Sequence, residues 1–151
     1  MSSAAEARYR VQAPNSRPRA ITVVGLDAAA ESVVRRLAGE GWQQAAFFLA
    51  TSADDSLTDL AGGRRGVDDT IAASDLVILV AGPGGGARSA AAIGRACSHR
   101  RIMTTGCLVL ADRSSESDVS KTLAQLRPWS LMLVIARSDD YIDDMMAALR
   151  A

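Results

Sequence analysis

Short apolar runs alternate with segments of helical spacing along most of this chain. The runs carry few charges and several end in glycine or alanine, which is typical of strands buried on both faces of a parallel sheet. Five strands are predicted in this way, over residues 20–25, 45–50, 75–81, 103–111 and 131–136. Helical spacing predicts helices at 28–39, 67–73, from 89 to about 98, 117–126 and 139–150.

Strands that alternate with helices predict the α/β class. Short right-handed crossovers favour a single three-layer, Rossmann-like sandwich with a mostly parallel five-stranded sheet. Numbered in chain order, the predicted strands take the order 2-1-3-4-5, which leaves the last strand at an edge. The polar segment 54–73 is expected to add only a short helix. Residues 1–19, with four arginines and one acid, are predicted to be a mobile basic tail before a domain at 20–151.

Composition excludes several classes of function. Lysine plus arginine and aspartate plus glutamate number 17 each, so no basic surplus supports binding to nucleic acid. No apolar run approaches the roughly 20 residues of a membrane span. Two cysteines without a secretory leader predict a cytoplasmic protein with free thiols, and one histidine leaves no His-based metal site. The excess of arginine over lysine and the many alanines are typical of a GC-rich bacterial genome.

Two loops are expected to flank the crevice between the first and third predicted strands, where ligands of open α/β sheets bind. The loop at 25–30 keeps only Gly25 of a dinucleotide fingerprint, and Asp27 fits a helix cap better than a ligand. The loop at 81–89 is glycine-rich and opens a helix, so its N–H groups could converge on an anion. A plain flexible turn is the alternative. The predicted cofactor site comprises Gly25, Gly82, Gly84, Gly85, Gly86, Ala87, Arg88 and Ser89, with no catalytic or metal residue.

Residues 75–89 resemble the phosphate loop of FtsZ, the bacterial tubulin homologue, in which a similar strand runs into an AGxGGGTGTG loop. Weaker similarity extends over about 20–146, through ITVVG, FFLATS and RPWSLMLVIA. The resemblance implies a nucleotide-binding domain, with GTP, GDP or another phosphate-containing ligand as the candidate.

The departures from that family imply a degenerate, truncated relative. Ala87, Arg88 and Ser89 stand where the family continues Thr-Gly-Thr, and the guanine-reading asparagine falls near Arg137 or Ser138. The segment between the second and third strands is shortened, so one family strand is expected to be absent. The carboxyl-terminal half of the family's two-domain core, which carries its acidic loop, is also expected to be missing. The resemblance therefore implies no GTPase activity and a role in self-association or protein binding.

Other interpretations stay open at this stage. A small nucleotide- or NAD(P)-binding enzyme and a regulatory subunit that binds another anion both fit a minimal sandwich. A homodimer or a protein partner is expected because the last strand, at 131–136, is an apolar edge. The final helix offers a competing cover, through Ile142, Met145, Met146 and Leu149. Its acids fit a helix start better than a magnesium site: Asp139, Asp140, Asp143 and Asp144.

Overall fold

The computed structural model describes residues 19–50, 56–84, 86–110, 114–137 and 140–149. The predicted tail therefore lies outside the described residues, apart from Arg19. The elements in chain order are β1 (Ile21–Gly25), α1 (Ala28–Ala38), β2 (Ala45–Leu49), β3 (Ser56–Asp59), β4 (Arg64–Gly66), α2 (Val67–Ile71), β5 (Leu76–Ala81), α3 (Ser89–His99), β6 (Met103–Val109), α4 (Glu116–Leu126), a 3-10 turn (Arg127–Trp129), β7 (Met132–Ala136) and α5 (Asp140–Ala148).

One mixed sheet runs through the domain in the order β4-β3-β2-β1-β5-β6-β7. The strands β2, β1, β5, β6 and β7 are parallel, whereas β3 and β4 pair antiparallel at one edge. The α/β class and the order of the five predicted strands are confirmed. The prediction of a five-stranded sheet is wrong, because the segment assigned to one helix also contributes a two-stranded hairpin.

That hairpin is fixed by polar contacts rather than by an apolar run. The carboxylate of Asp59 accepts hydrogen bonds from the N–H groups of Ala61 and Gly63, at 3.0 and 2.8 Å. The hydrogen bond from the N–H of Gly63, together with those from Ala61 and Arg65, holds the pKa of Asp59 below its ordinary value. Gly62 takes a φ of +96°, which closes the turn. Of β3, only Leu57 is fully buried, so the usual apolar signal of a strand is missing.

Helices cover both faces of the sheet. One face packs against α1 and α5 and the other against α2, α3 and α4. Every residue of β1 and β5 is buried, as expected for central strands. Helix α5 is held by the buried Ile142 and Met146 and by a bidentate bond from the guanidinium of Arg36 to Asp143, at 2.9 and 3.1 Å. No helix among the described residues is long and apolar enough to span a membrane.

Candidate functional site

The two loops of the crevice meet through one carboxylate. Asp27 is the N-cap of α1, where its Oδ1 accepts the N–H of Ala30 at 2.8 Å, so the predicted cap is confirmed. Its Oδ2 accepts the N–H of Gly82 at 2.9 Å. Asp27 therefore joins the end of β5 to the start of α1.

Helix α4 supplies the other partners of the glycine-rich loop. The N–H of Gly84 donates to Oγ1 of Thr122 at 3.0 Å, and the N–H of Ala87 donates to Oε1 of Gln125 at 2.8 Å. Thr122 is fully buried, and its hydroxyl lies 3.4 Å from the carbonyl oxygen of Gly82. Together with Asp27, three side chains of the protein hold three N–H groups that a bound anion would use.

A second carboxylate lies against the same loop. A Cβ placed on Gly84 would come within 2.9 Å of the carboxyl carbon of Asp118. Asp118 and Asp27 give this crevice negative charge, whereas Arg88 is exposed at its rim. The local field is therefore less favourable to an anion than the glycines alone suggest.

The predicted site residues fall into two groups. Gly25 is buried, and a Cβ there would lie 3.1 Å from the side chains of Leu49 and Val34, so packing accounts for this glycine. The others lie together between β5 and the first turn of α3, where Gly84 and Gly86 have φ of +74° and +85°. These are Gly82, Gly84, Gly86, Ala87, Arg88 and Ser89, while Gly85 lies outside the described residues. Phosphate binding by this group stays a prediction.

The contacts from α4 were missed at the sequence level. Asp118, Thr122 and Gln125 follow one another at four and three residues, which places polar groups on one face of the helix. That spacing is a usable signal for a polar face that meets a loop. It does not identify the loop, which lies about 40 positions earlier in the chain.

The two thiols are buried among apolar side chains. Burial raises the pKa of Cys97 to about 11 and that of Cys107 to about 12. We expect both to resist a disulfide-exchange reagent such as DTNB at pH 8, since the thiolate is the reacting form. Labelling in guanidinium chloride, where the pKa returns to its ordinary value, is the control. Stoichiometric labelling of the folded protein within minutes would contradict the burial.

The described residues contain no group of three or more His, Cys, Asp or Glu side chains arranged to hold a metal ion. Asp143, one of the acids considered for magnesium, instead forms its ion pair with Arg36. Asp139 and the side chain of Asp140, which were considered for the same magnesium site, lie outside the described residues.

The edge strand β7 forms the second candidate site. The large hydrophobic side chains that are exposed in the described part of the chain all lie on β7 or on segments joined or paired to it. Their exposed fractions run from 46 to 76%, and they are Met103, Leu131, Met132, Ile135 and Tyr141. The N–H of Leu131 donates to the carbonyl of Thr104 at 2.9 Å, which places the start of β7 beside Met103. The predicted cover by the final helix is confirmed for one face of the sheet, where Ile142 and Met146 are buried and Met145 and Leu149 pack against them. The side chains of Met132 and Ile135 on β7 remain about half exposed.

No protein-family model and no curated protein matches this chain. The resemblance to FtsZ therefore stays a prediction from short motifs.

Proposed function

We propose that this protein is a non-catalytic module that self-associates by pairing β7 with β7 of a second copy. The observation that carries the proposal is the apolar, exposed edge formed by β7 and its neighbours. Sheet edges of this kind are templates for pairing, and natural proteins seldom leave them uncovered. Large apolar side chains that stay exposed together at one edge of a folded domain are typical of an interface.

The two edges of the sheet differ in the way that this proposal requires. At the far edge, β4 is three residues long, exposed, and carries Arg64 and Arg65. Short charged strands of this type prevent edge-to-edge pairing. At the other edge, 131–136 contain no charge and no proline. Only the β7 edge is therefore suited to pairing.

A second copy fits this edge because a two-fold interface must be complementary to itself. In antiparallel pairing centred on Val134, Ile135 lies beside the partner's Leu133, and Met132 lies beside the partner's Ala136. Apolar side chains then meet apolar side chains on both faces of the extended sheet. The two copies of Arg137 would lie roughly 20 Å apart at the rise of a β-strand, so they do not repel each other strongly.

The size of the exposed patch indicates a modest affinity. The exposed apolar side chains of the edge segment itself are Leu131, Met132 and Ile135, and they offer on the order of 300 Å² per copy, or about 600 Å² in a dimer. That total is below the usual size of a stable interface and within the range of transient ones. We therefore expect a dimer that dissociates at micromolar concentration.

The non-catalytic part of the proposal is supported by the crevice. The side chains that face the glycine-rich loop, Asp27, Thr122 and Gln125, bond to its backbone and hold it in place. These groups have a structural use in the folded chain.

Light scattering after size-exclusion chromatography tests the proposal on the full chain. Between about 1 µM and 1 mM, the mass should rise from the monomer value of 15.8 kDa toward twice that value. Hydrogen exchange at 131–136 should slow over the same range. A monomer throughout, or a dimer with unchanged exchange at β7, would refute the proposed interface.

Phosphate or nucleotide binding at 82–89 is the second candidate function. It is favoured by the positive φ of Gly84 and Gly86 and by the start of α3, where Arg88 makes no side-chain capping bond. An anion here would replace Thr122 and Gln125 as partners of the loop. The same site could serve the nucleotide-using enzyme or regulatory subunit considered above.

A thermal-shift screen with phosphate, GTP, GDP, ATP and NAD(P) tests this second function. Ligand at 100 times its Kd stabilises by about 2.7 kcal/mol, which should raise the Tm by roughly 5 to 10 °C. Arg88→Ala should reduce the shift, whereas Arg19→Ala, before β1, should not. The absence of a shift with every ligand would reject the site.

A further inference from the structure

A pocket lies at the opposite end of the sheet from the crevice, and two of its lining residues, Met103 and Leu131, also belong to the exposed apolar edge described above. Its volume is about 450 Å³, within the range of small-molecule sites. It opens where α3 leads into β6 and where the 3-10 turn leads into β7. The residues that matter for its chemistry are Ser98, Arg101, Met103, Thr104, Trp129 and Leu131.

One wall of this pocket is rigid. Trp129 is packed against Gly94, where a Cβ would come within 2.5 Å of the Trp129 Cβ. The guanidinium of Arg95 lies over the indole, 5.5 Å from the ring centroid. The carbonyl of Trp129 accepts the hydroxyl hydrogen of Thr104. The indole is therefore held in one place before any ligand arrives.

Arg101 occupies a position where glycine is the usual residue. Helix α3 ends with Ile102 N–H donating to Cys97 carbonyl at 2.8 Å and Arg101 N–H donating to Ser98 carbonyl at 3.2 Å. This pair of bonds defines a Schellman ending, whose left-handed position favours glycine. Arg101 has a φ of 56°, the one positive φ of a non-glycine residue in the described chain.

The left-handed backbone of Arg101 is strained relative to glycine, so we expect its side chain to make an interaction that offsets this cost. Its neighbour Arg100 pairs with Asp68 at 3.5 Å, whereas Arg101 makes no ion pair or side-chain hydrogen bond with the described residues. Arg101 lines the pocket and is exposed to solvent. A strained residue with an unused cation at a pocket is a reason to look for a ligand.

We propose that this pocket binds a small aromatic carboxylate. The guanidinium of Arg101 pairs with the carboxylate, in the fork geometry that suits such groups. The aromatic body lies against Trp129 and the exposed Met103 and Leu131. One cation matches one carboxylate, whereas a phosphate dianion would leave a charge unpaired.

Phenylacetate is the probe, with the neutral phenylacetamide as its matched control. In ¹H–¹⁵N spectra of the full chain, the indole N–H of Trp129 should shift and saturate with phenylacetate. The indole of Trp42, which donates to the Leu37 carbonyl at 2.9 Å in the other layer, is an internal control. Phenylacetamide should bind at least ten times more weakly.

Arg101→Gly removes both the cation and the backbone strain, and the two effects are measured separately. This variant should raise the Tm by a few degrees without ligand and weaken phenylacetate binding at least ten-fold. Arg101→Lys keeps the charge and should retain part of the affinity. Equal binding of the acid and the amide, or unchanged binding by Arg101→Gly, would overturn the proposal. So would a Trp129 signal that stays fixed.

The pocket proposal is independent of self-association, although Met103 and Leu131 border both surfaces. The titration is therefore repeated on the Ile135→Lys variant, whose substitution lies outside the pocket. The same Trp129 shift is expected there. Loss of the shift in that variant would mean that the pocket depends on the dimer, and would overturn the site as stated.

Discussion

Ile135→Lys is expected to convert the dimer into a monomer. Ile135 is 48% exposed at the centre of the proposed interface, so the lysine remains solvated in the free chain. Pairing would place two ammonium groups in an apolar strip, which is the device that natural edge strands use against association. We expect the Kd to rise at least 100-fold, which corresponds to about 2.7 kcal/mol.

The control for this variant is Ala72→Lys, which adds the same charge at an exposed position after α2. It should leave the dimer intact. Circular dichroism and the Tm of Ile135→Lys, measured at low concentration, should match those of the parent chain. A dimer of unchanged affinity in Ile135→Lys would place the interface elsewhere.

Asp27→Ala is expected to give the largest loss of stability outside the apolar core. The substitution removes the N-cap of α1, which typically costs about 1 kcal/mol. It also leaves the N–H of Gly82 without its partner, which costs about 1 to 3 kcal/mol when the group is buried. Urea unfolding should show a decrease of about 2 to 4 kcal/mol in the free energy of unfolding.

Asp27→Ser is the matched control, because serine keeps the capping oxygen and loses the acceptor for Gly82. Its stability should fall between those of the parent chain and Asp27→Ala. A loss below about 0.5 kcal/mol in Asp27→Ala would show that the link between the two loops contributes little.

The parts of the fold that the sequence determines are those set by local patterns. Apolar runs such as 75–81 and 20–25 predict central strands because both faces are buried, and this pattern is independent of the neighbours. Asp27 is predicted as a cap for a similar reason, since a cap needs only the first turn of its own helix. The apolar composition of 131–136 also marks the edge strand, once the strand order is inferred.

The tertiary structure decided the features that depend on contacts between distant segments. The hairpin of β3 and β4 arises from the Asp59 turn and from pairing with β2, which a polar segment does not reveal by periodicity. Thr122 and Gln125 reach the glycine-rich loop 38 residues away, because α4 packs beside it. The left-handed conformation of Arg101 follows from the way α3 must turn into β6, which no local preference of arginine indicates.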